Sequence, residues 1–218
     1  MAGILKVDQV QSDSNLAFNI AGSNVAFMNA TSLQMVGSNV SLAGTNVITN
    51  GKLVTSAQPT GAVLQAVSTI KTDTFSFSVT ARTWTSVTGL SASITPSSAS
   101  NKILVTAVVS ISATNTYNAM GGRVTRNGSV VAVGDTSSSR QSAFFGSDDW
   151  LSAASANQSQ IYISFLDSPS TTSAVTYQLQ LINDRDTETI YVNRGAADAD
   201  SSQTFRNAST ITVMEIAG

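Results

Sequence analysis

The sequence predicts an all-β protein: a short-stranded N-terminal stalk or anchor followed by a jelly-roll-like antiparallel β-sandwich. Three observations carry this expectation. Val, Ile, Leu and Phe recur throughout with the period of a strand, and no window gives a convincing helix. Turn residues interrupt the apolar runs at short intervals. The charge that most chains carry is replaced by small hydroxyls: only 11 % of the 218 residues are charged, while about 60 are Ser or Thr, more than a quarter of the chain. Such a composition signals disorder only where apolar residues are scarce. Here the hydrophobic fraction is 42 %, and abundant Thr and Val suit a pleated, half-buried surface.

The same composition excludes several functions. The chain has no Cys and no His, so it has no imidazole base, thiolate nucleophile, disulfide or conventional zinc site. A net charge of −2 and a pI near 4.9 give no electrostatic reason to expect nucleic acid or an anionic membrane. No apolar run is long enough to span a bilayer. The start, Met1-Ala2-Gly3-Ile4-Leu5-Lys6, lacks a basic segment followed by an apolar one, so export by the usual route is not expected. The expected protein is therefore not an enzyme and needs no cofactor or metal.

Residues 1–60 carry a degenerate repeat. Gly22-Ser23-Asn24-Val25 returns as Gly37-Ser38-Asn39-Val40 and as Gly44-Thr45-Asn46-Val47. Gly and Asn tolerate positive φ, so each unit is turn chemistry followed by a very short strand. Only Lys6, Asp8, Asp13 and Lys52 are charged. Short strands with one apolar face need a partner surface, as in solenoids and intertwined fibres. The expectation is an elongated stalk whose seam of Phe18, Phe27, Leu33, Met35 and Leu42 packs against identical copies. Ala57-Gln58-Pro59-Thr60-Gly61 breaks the pattern and sets the boundary.

Residues 61–218 contain closely spaced strand candidates: Ala62–Ile70, Thr74–Thr80, Thr83–Val87, Leu90–Thr95, Lys102–Ser112, Gly121–Arg126, Val130–Val133, Ala143–Leu151, Gln160–Leu166, Ala174–Ile182, Thr189–Val192 and Thr210–Ile216. The Ala- and Ser-rich run Ser152–Asn157 is too short to stand as a helix. Asn127-Gly128 is the strongest hairpin mark. Lys102–Ser112 and Ala174–Ile182 have the look of central strands; in the latter, Val175, Tyr177, Leu179 and Leu181 alternate with Thr176, Gln178 and Gln180.

Three runs carry a resemblance: Gly61-Ala62-Val63-Leu64-Gln65-Ala66-Val67; Trp84 through Pro96; and Ser100-Asn101-Lys102-Ile103-Leu104-Val105. With the closing strand Ile211–Ile216, they resemble the C-terminal β-sandwich domains of tailed-bacteriophage structural proteins, especially those of marine and freshwater phages. The first part, beginning Leu5-Lys6-Val7-Asp8, resembles the anchoring and stalk segments of the same proteins. The resemblance implies a homotrimer, made in the host cytoplasm and displayed on the virion. It also implies an N-terminal segment that contacts other virion proteins, and it carries no catalytic motif.

Several side chains have the chemistry of a binding site. Asp148-Asp149 beside Trp150 suits a cation or a sugar stacked on the indole, or a solvated loop before a buried Trp, which is the reading preferred. Arg123, Arg126 and Arg140 near the hairpin suit bidentate recognition of an anionic glycan. They equally suit inter-subunit pairs with Asp135 or Asp148, and the second reading is preferred for a trimer. Asp198 and Asp200 have metal-loop spacing, but a calcium loop gathers more carboxylates. Asp184, Asp186 and Glu188 around Arg185 suggest an acidic strand face or an ion-pair cluster, with no cleft legible for a glycosidase pair. The expected function is a non-enzymatic short tail fibre or spike that contacts a host-surface glycan or protein. The alternatives are a trimeric capsid decoration protein that reinforces the head shell and a secreted lectin-like module.

Overall fold

Alternating apolar and polar residues give strands wherever one face is covered, and antiparallel pairing dominates this chain. The computed structural model describes residues 39–42, 45–49, 52–54, 57–78, 82–114, 120–147, 158–183 and 189–218. Among these residues the protein is all-β, with fourteen strands and no α-helix. Each strand pairing is antiparallel.

The second and third repeat units give a hairpin of β1 (Asn39–Leu42) and β2 (Thr45–Thr49), joined by β3 (Lys52–Leu53) in a small sheet. Of the proposed seam, Phe18, Phe27, Leu33 and Met35 lie outside the described residues, and Leu42 ends β1 opposite Thr45. At the expected boundary, the Ala62 amide donates to the Pro59 carbonyl across a turn in which Gly61 takes a φ of 88°. That left-handed value explains the glycine.

Two larger sheets share one core. The first contains β4 (Val63–Lys71), β5 (Phe75–Ser78), β7 (Lys102–Ala113), β11 (Ser159–Asp167), β13 (Thr189–Val192) and β14 (Ser209–Ile216). β7 is its centre. One edge of β7 pairs with β11, and the other pairs with β14 and then β13. The second sheet has the order β10 (Phe145–Ser147), β8 (Met120–Arg126), β12 (Val175–Asn183), β6 (Thr85–Ile94), with β9 (Ser129–Val131) beside β8. Both strands expected at the centre therefore lie there.

The inward residues are those the alternation selects. Ile103, Val105, Val109 and Ile111 of β7 meet Tyr177, Leu179 and Leu181 of β12, all fully buried. Ile211 and Val213 of β14 and Val87 and Leu90 of β6 complete the cluster. Burying each such side chain contributes about 1.5–3 kcal/mol.

Two strand candidates, Thr83–Val87 and Leu90–Thr95, form one strand interrupted by a bulge. Gln178 faces Ser91 and Gln180 faces Ser86, so several β6 residues lie opposite Leu179. Gly89 takes a φ of 80° there. The Gln178 side-chain amide donates to the carbonyls of Val87, Leu90 and Leu179, which the bulge turns away from the ladder. The Asn127-Gly128 hairpin forms as expected, with φ of 49° and 84° and Arg126 paired to Ser129.

Glu215 points inward from β14 and is 1 % exposed. Its carboxylate accepts hydrogen bonds from Gln65 Nε2 (2.6 Å), the Ser97 amide (2.6 Å), Ser97 Oγ (2.8 Å) and Asn101 Nδ2 (2.6 Å). It thereby ties β14 and β4 to the connection that leaves β6 for β7. Burial raises its pKa, but the donors from Asn101, Gln65 and Ser97 outweigh this and hold the carboxyl below its ordinary 4.5. A lowered carboxylate pKa stabilises the fold above the unfolded value, and that contribution is lost as pH falls through the folded value. Glu215→Gln should therefore cost about 2 kcal/mol at pH 7, because an amide presents a donor where Gln65 and Ser97 also donate. Urea unfolding should also show a smaller acid-induced loss for the variant than for the wild type as pH falls below 4.5.

Candidate functional site

The longest described connection between strands joins β13 to β14. Residues 193–208 lack strand alternation, and connections of this length in a small domain are uncommon unless they fold on themselves or bind something. This one is closed at its neck. Asn193 has a φ of 65°, which Asn tolerates, and the Asn207 amide donates to the Asn193 carbonyl at 3.0 Å.

Beneath the neck lies a network of amides and hydroxyls. Asn193 Nδ2 donates to the carbonyls of Lys71 (2.8 Å) and Asp73 (2.9 Å), while Asn193 Oδ1 accepts from Ser209 Oγ at 2.6 Å. Ser209 Oγ in turn accepts the Ser110 amide of β7 at 3.0 Å. Asn193, Ser209 and Ser110 are buried, so each bond satisfies a group that would otherwise be costly to desolvate. Gln158 extends the network outward: its Oε1 accepts from Asn207 Nδ2 and Ser110 Oγ, and its Nε2 donates to the Phe205 carbonyl at 2.8 Å.

Two arginines hold the body of the loop. Asp198 Oδ2 accepts from Arg194 Nη1 at 3.0 Å and Arg206 Nη2 at 2.7 Å. The Arg194 guanidinium also lies over the Tyr191 ring, 4.2 Å from its centroid. The loop encloses a cleft of about 380 Å³, lined among the described residues by Gln158, Gly195, Asp198, Ala199, Asp200, Ser201, Thr204, Phe205 and Arg206. Phe205 stands at this cleft with 68 % of its surface exposed. Asp198, one of the two carboxylates with metal-loop spacing, thus faces two guanidinium groups, and no acidic cluster of metal-binding size occurs among the described residues.

The other candidates lie elsewhere. Arg126 Nη1 pairs with Asp167 Oδ2 of β11 at 2.6 Å, and the Tyr177 hydroxyl donates to the same oxygen at 2.7 Å. This cluster joins the two sheets at the edge of the core. Burial pushes the Tyr177 phenol above its ordinary pKa, the neighbouring Asp167 adds to the shift, and the phenol stays a neutral donor. Arg123 faces the opposite way, over the Trp84 ring at 4.1 Å, with its Nε donating to Gln180 Oε1 at 2.9 Å. Arg140 is exposed and donates to Ser137 Oγ at 3.0 Å. The arginines are therefore spread over different surfaces. Asp148, Asp149, Trp150, Asp184, Asp186 and Glu188 lie outside the described residues.

Sequence reasoning did not single out Phe205, Arg206 or Gln158. The available signal was the absence of strand periodicity over 193–208, where an exposed Phe is not absorbed by any apolar face. No family model matches the chain, and no curated protein matches it.

The Asp198 clamp should be local. Its partners are partly exposed, so its two ion pairs together should contribute about 1–2 kcal/mol to the loop. Asp198→Ala should accelerate hydrogen exchange at the Asn207 amide roughly tenfold while leaving the thermal midpoint within about 2 °C of wild type.

Proposed function

We propose that the chain is a non-enzymatic structural protein of a phage particle. It is a homotrimeric short tail fibre or spike, with a jelly-roll-like head and an N-terminal stalk that attaches to other virion proteins. The support from the fold is that consecutive strands cross between two antiparallel sheets around one core: β6, β7 and β8 alternate between them, as do β11, β12 and β13.

The observation that carries the reading is the outer face of the six-stranded sheet. Cross-strand pairing sets its rows. Tyr162, Val108, Thr210 and Ile70 form one row; Ser164, Thr106, Thr212 and Ser68 form the next; Leu166, Leu104, Met214 and Ala66 form the third. None of these twelve residues is charged. Tyr162, Leu166 and Ile70 are exposed at 68 %, 50 % and 63 %. Three rows about 6.8 Å apart across four strands about 4.8 Å apart give roughly 400 Å² of such surface, with the exposed Lys102 at its end. The surface is mixed: exposed Tyr162, Leu166 and Ile70 stand on either side of a row of hydroxyls, and large exposed apolar side chains grouped in this way suit an interaction site.

The outer face of the other sheet differs. Ser93 bonds Thr176, Gln180 bonds Ser86 and Arg123, and Ser91, Gln178 and Thr125 share a row. The six-stranded face differs in its large exposed apolar side chains, Tyr162, Leu166 and Ile70, which suits identical copies meeting through it.

Sedimentation equilibrium at micromolar concentration should give three times the 22.6 kDa of one chain. Tyr162→Glu with Leu166→Glu should give a folded monomer, since both side chains are already exposed. A wild-type monomer overturns the trimer. Quantifying the chain in purified particles tests its location: low copy number at the tail supports the fibre, and high copy number over the shell supports capsid decoration.

A further inference from the structure

We infer that the cleft of the 193–208 loop binds a neutral saccharide, with Phe205 as its stacking platform. The inference stands on the loop and does not depend on the trimer or the particle. On a displayed fibre the same site would supply the host contact.

Three observations and one chemical match converge. The cleft, about 380 Å³, is large enough for a single sugar ring and lies within the usual range of small-ligand sites. It is preorganised: the Asn193–Asn207 neck and the Asp198 clamp fix its walls before any ligand arrives, which lowers the entropic cost of binding. The Gln158 side chain holds the Phe205 backbone to the buried network, so the ring is presented from an anchored position even though its surface is exposed. The π face of a benzene ring is electron-rich and apolar and matches the C–H face of a pyranose.

The charges at the cleft decide which sugar fits. Asp198, Asp200 and Arg206 line it, a balance of one negative charge, and the Arg206 guanidinium is already engaged by Asp198. An acidic sugar would meet that excess without a free cation. A neutral sugar would instead donate its hydroxyls to Asp200, which no ion pair holds among the described residues. Ser201 adds a hydroxyl to the lining, while the Thr204 hydroxyl donates to the carbonyls of Ala199 and Ser201 and helps fix the loop. A carboxylate accepting two sugar hydroxyls, with an aromatic ring beneath, is a direct chemical complement to a hexose.

The test uses the full chain, ¹⁵N-labelled, titrated with the methyl glycosides of glucose, galactose, mannose and N-acetylglucosamine and, separately, with N-acetylneuraminic acid. At least one neutral glycoside should give saturable amide shifts confined to residues 193–208 and Gln158, at millimolar affinity. Phe205→Ala and Asp200→Asn should each weaken it about tenfold or more. N-acetylneuraminic acid should not compete, and sedimentation of both variants should match wild type. The inference is overturned if no neutral glycoside shifts these amides up to about 100 mM, if the acidic sugar binds more tightly, or if Phe205→Ala leaves affinity unchanged. It is equally overturned if Phe205→Ala changes the oligomeric state, which would assign the ring to a subunit interface.

Discussion

One cross-strand row holds this fold closed. Asp167, Ile103, Glu215 and Gln65 lie side by side across β11, β7, β14 and β4, all on the inward face. The row places two carboxylates at the end of an apolar core, where an unsatisfied charge would cost several kcal/mol. Asp167 reaches across to Arg126 and Tyr177 of the other sheet, and Glu215 reaches Ser97 and Asn101 in the connection that runs from β6 of the other sheet to β7. Asp167 is answered by a guanidinium and a phenol. Glu215 is answered by amides and hydroxyls alone. A one-residue slip of β11 or of β14 against β7 would turn that strand's carboxylate outward and strand its donors.

The sparse charge of the chain acquires a meaning from this row. With few cations to pair against, polar groups taken into the interior are satisfied by Ser, Thr, Asn and Gln. The Glu215 site, the Gln178 side chain at the β6 bulge and the Asn193–Ser209–Ser110 network all work this way. Such bonds are short-ranged and directional, so they specify geometry more than they add net stability. They allow a loop as long as 193–208 to sit on the sheet without an apolar anchor of its own.

Large apolar side chains are also distributed unevenly between the outer surfaces. The β6–β12–β8 face carries glutamines, serines and Arg123, whereas the β4–β14–β7–β11 face carries Tyr162, Leu166, Met214 and Ile70 on either side of a row of hydroxyls, with Lys102 at its end. Both faces alternate in the same way along the sequence. The pattern along each strand shows that one side is covered, but the covering of the other side depends on which strands stand next to each other.

The sequence by itself determined the all-β class, the positions of most strands, the Asn127-Gly128 hairpin and the inward residues of β7 and β12. These follow from local rules: a period of two, and residues that accept positive φ. It divided β6 in two because Gly89 breaks the alternation, and only the opposing Gln178 shows that the strand continues through a bulge. The arginines were legible as chemistry but not as a site: Arg126 and Arg123 are three residues apart on one strand and therefore project to opposite faces, one into the core edge and one onto Trp84. Glu215 in a closing strand and Phe205 in a loop carry no local mark of their roles. Burial of the one and exposure of the other are set by contacts more than a hundred residues away for Glu215 and by the Gln158 anchor for Phe205. Only the tertiary structure decides these, because the strands that cover or leave open each side chain come from distant parts of the chain.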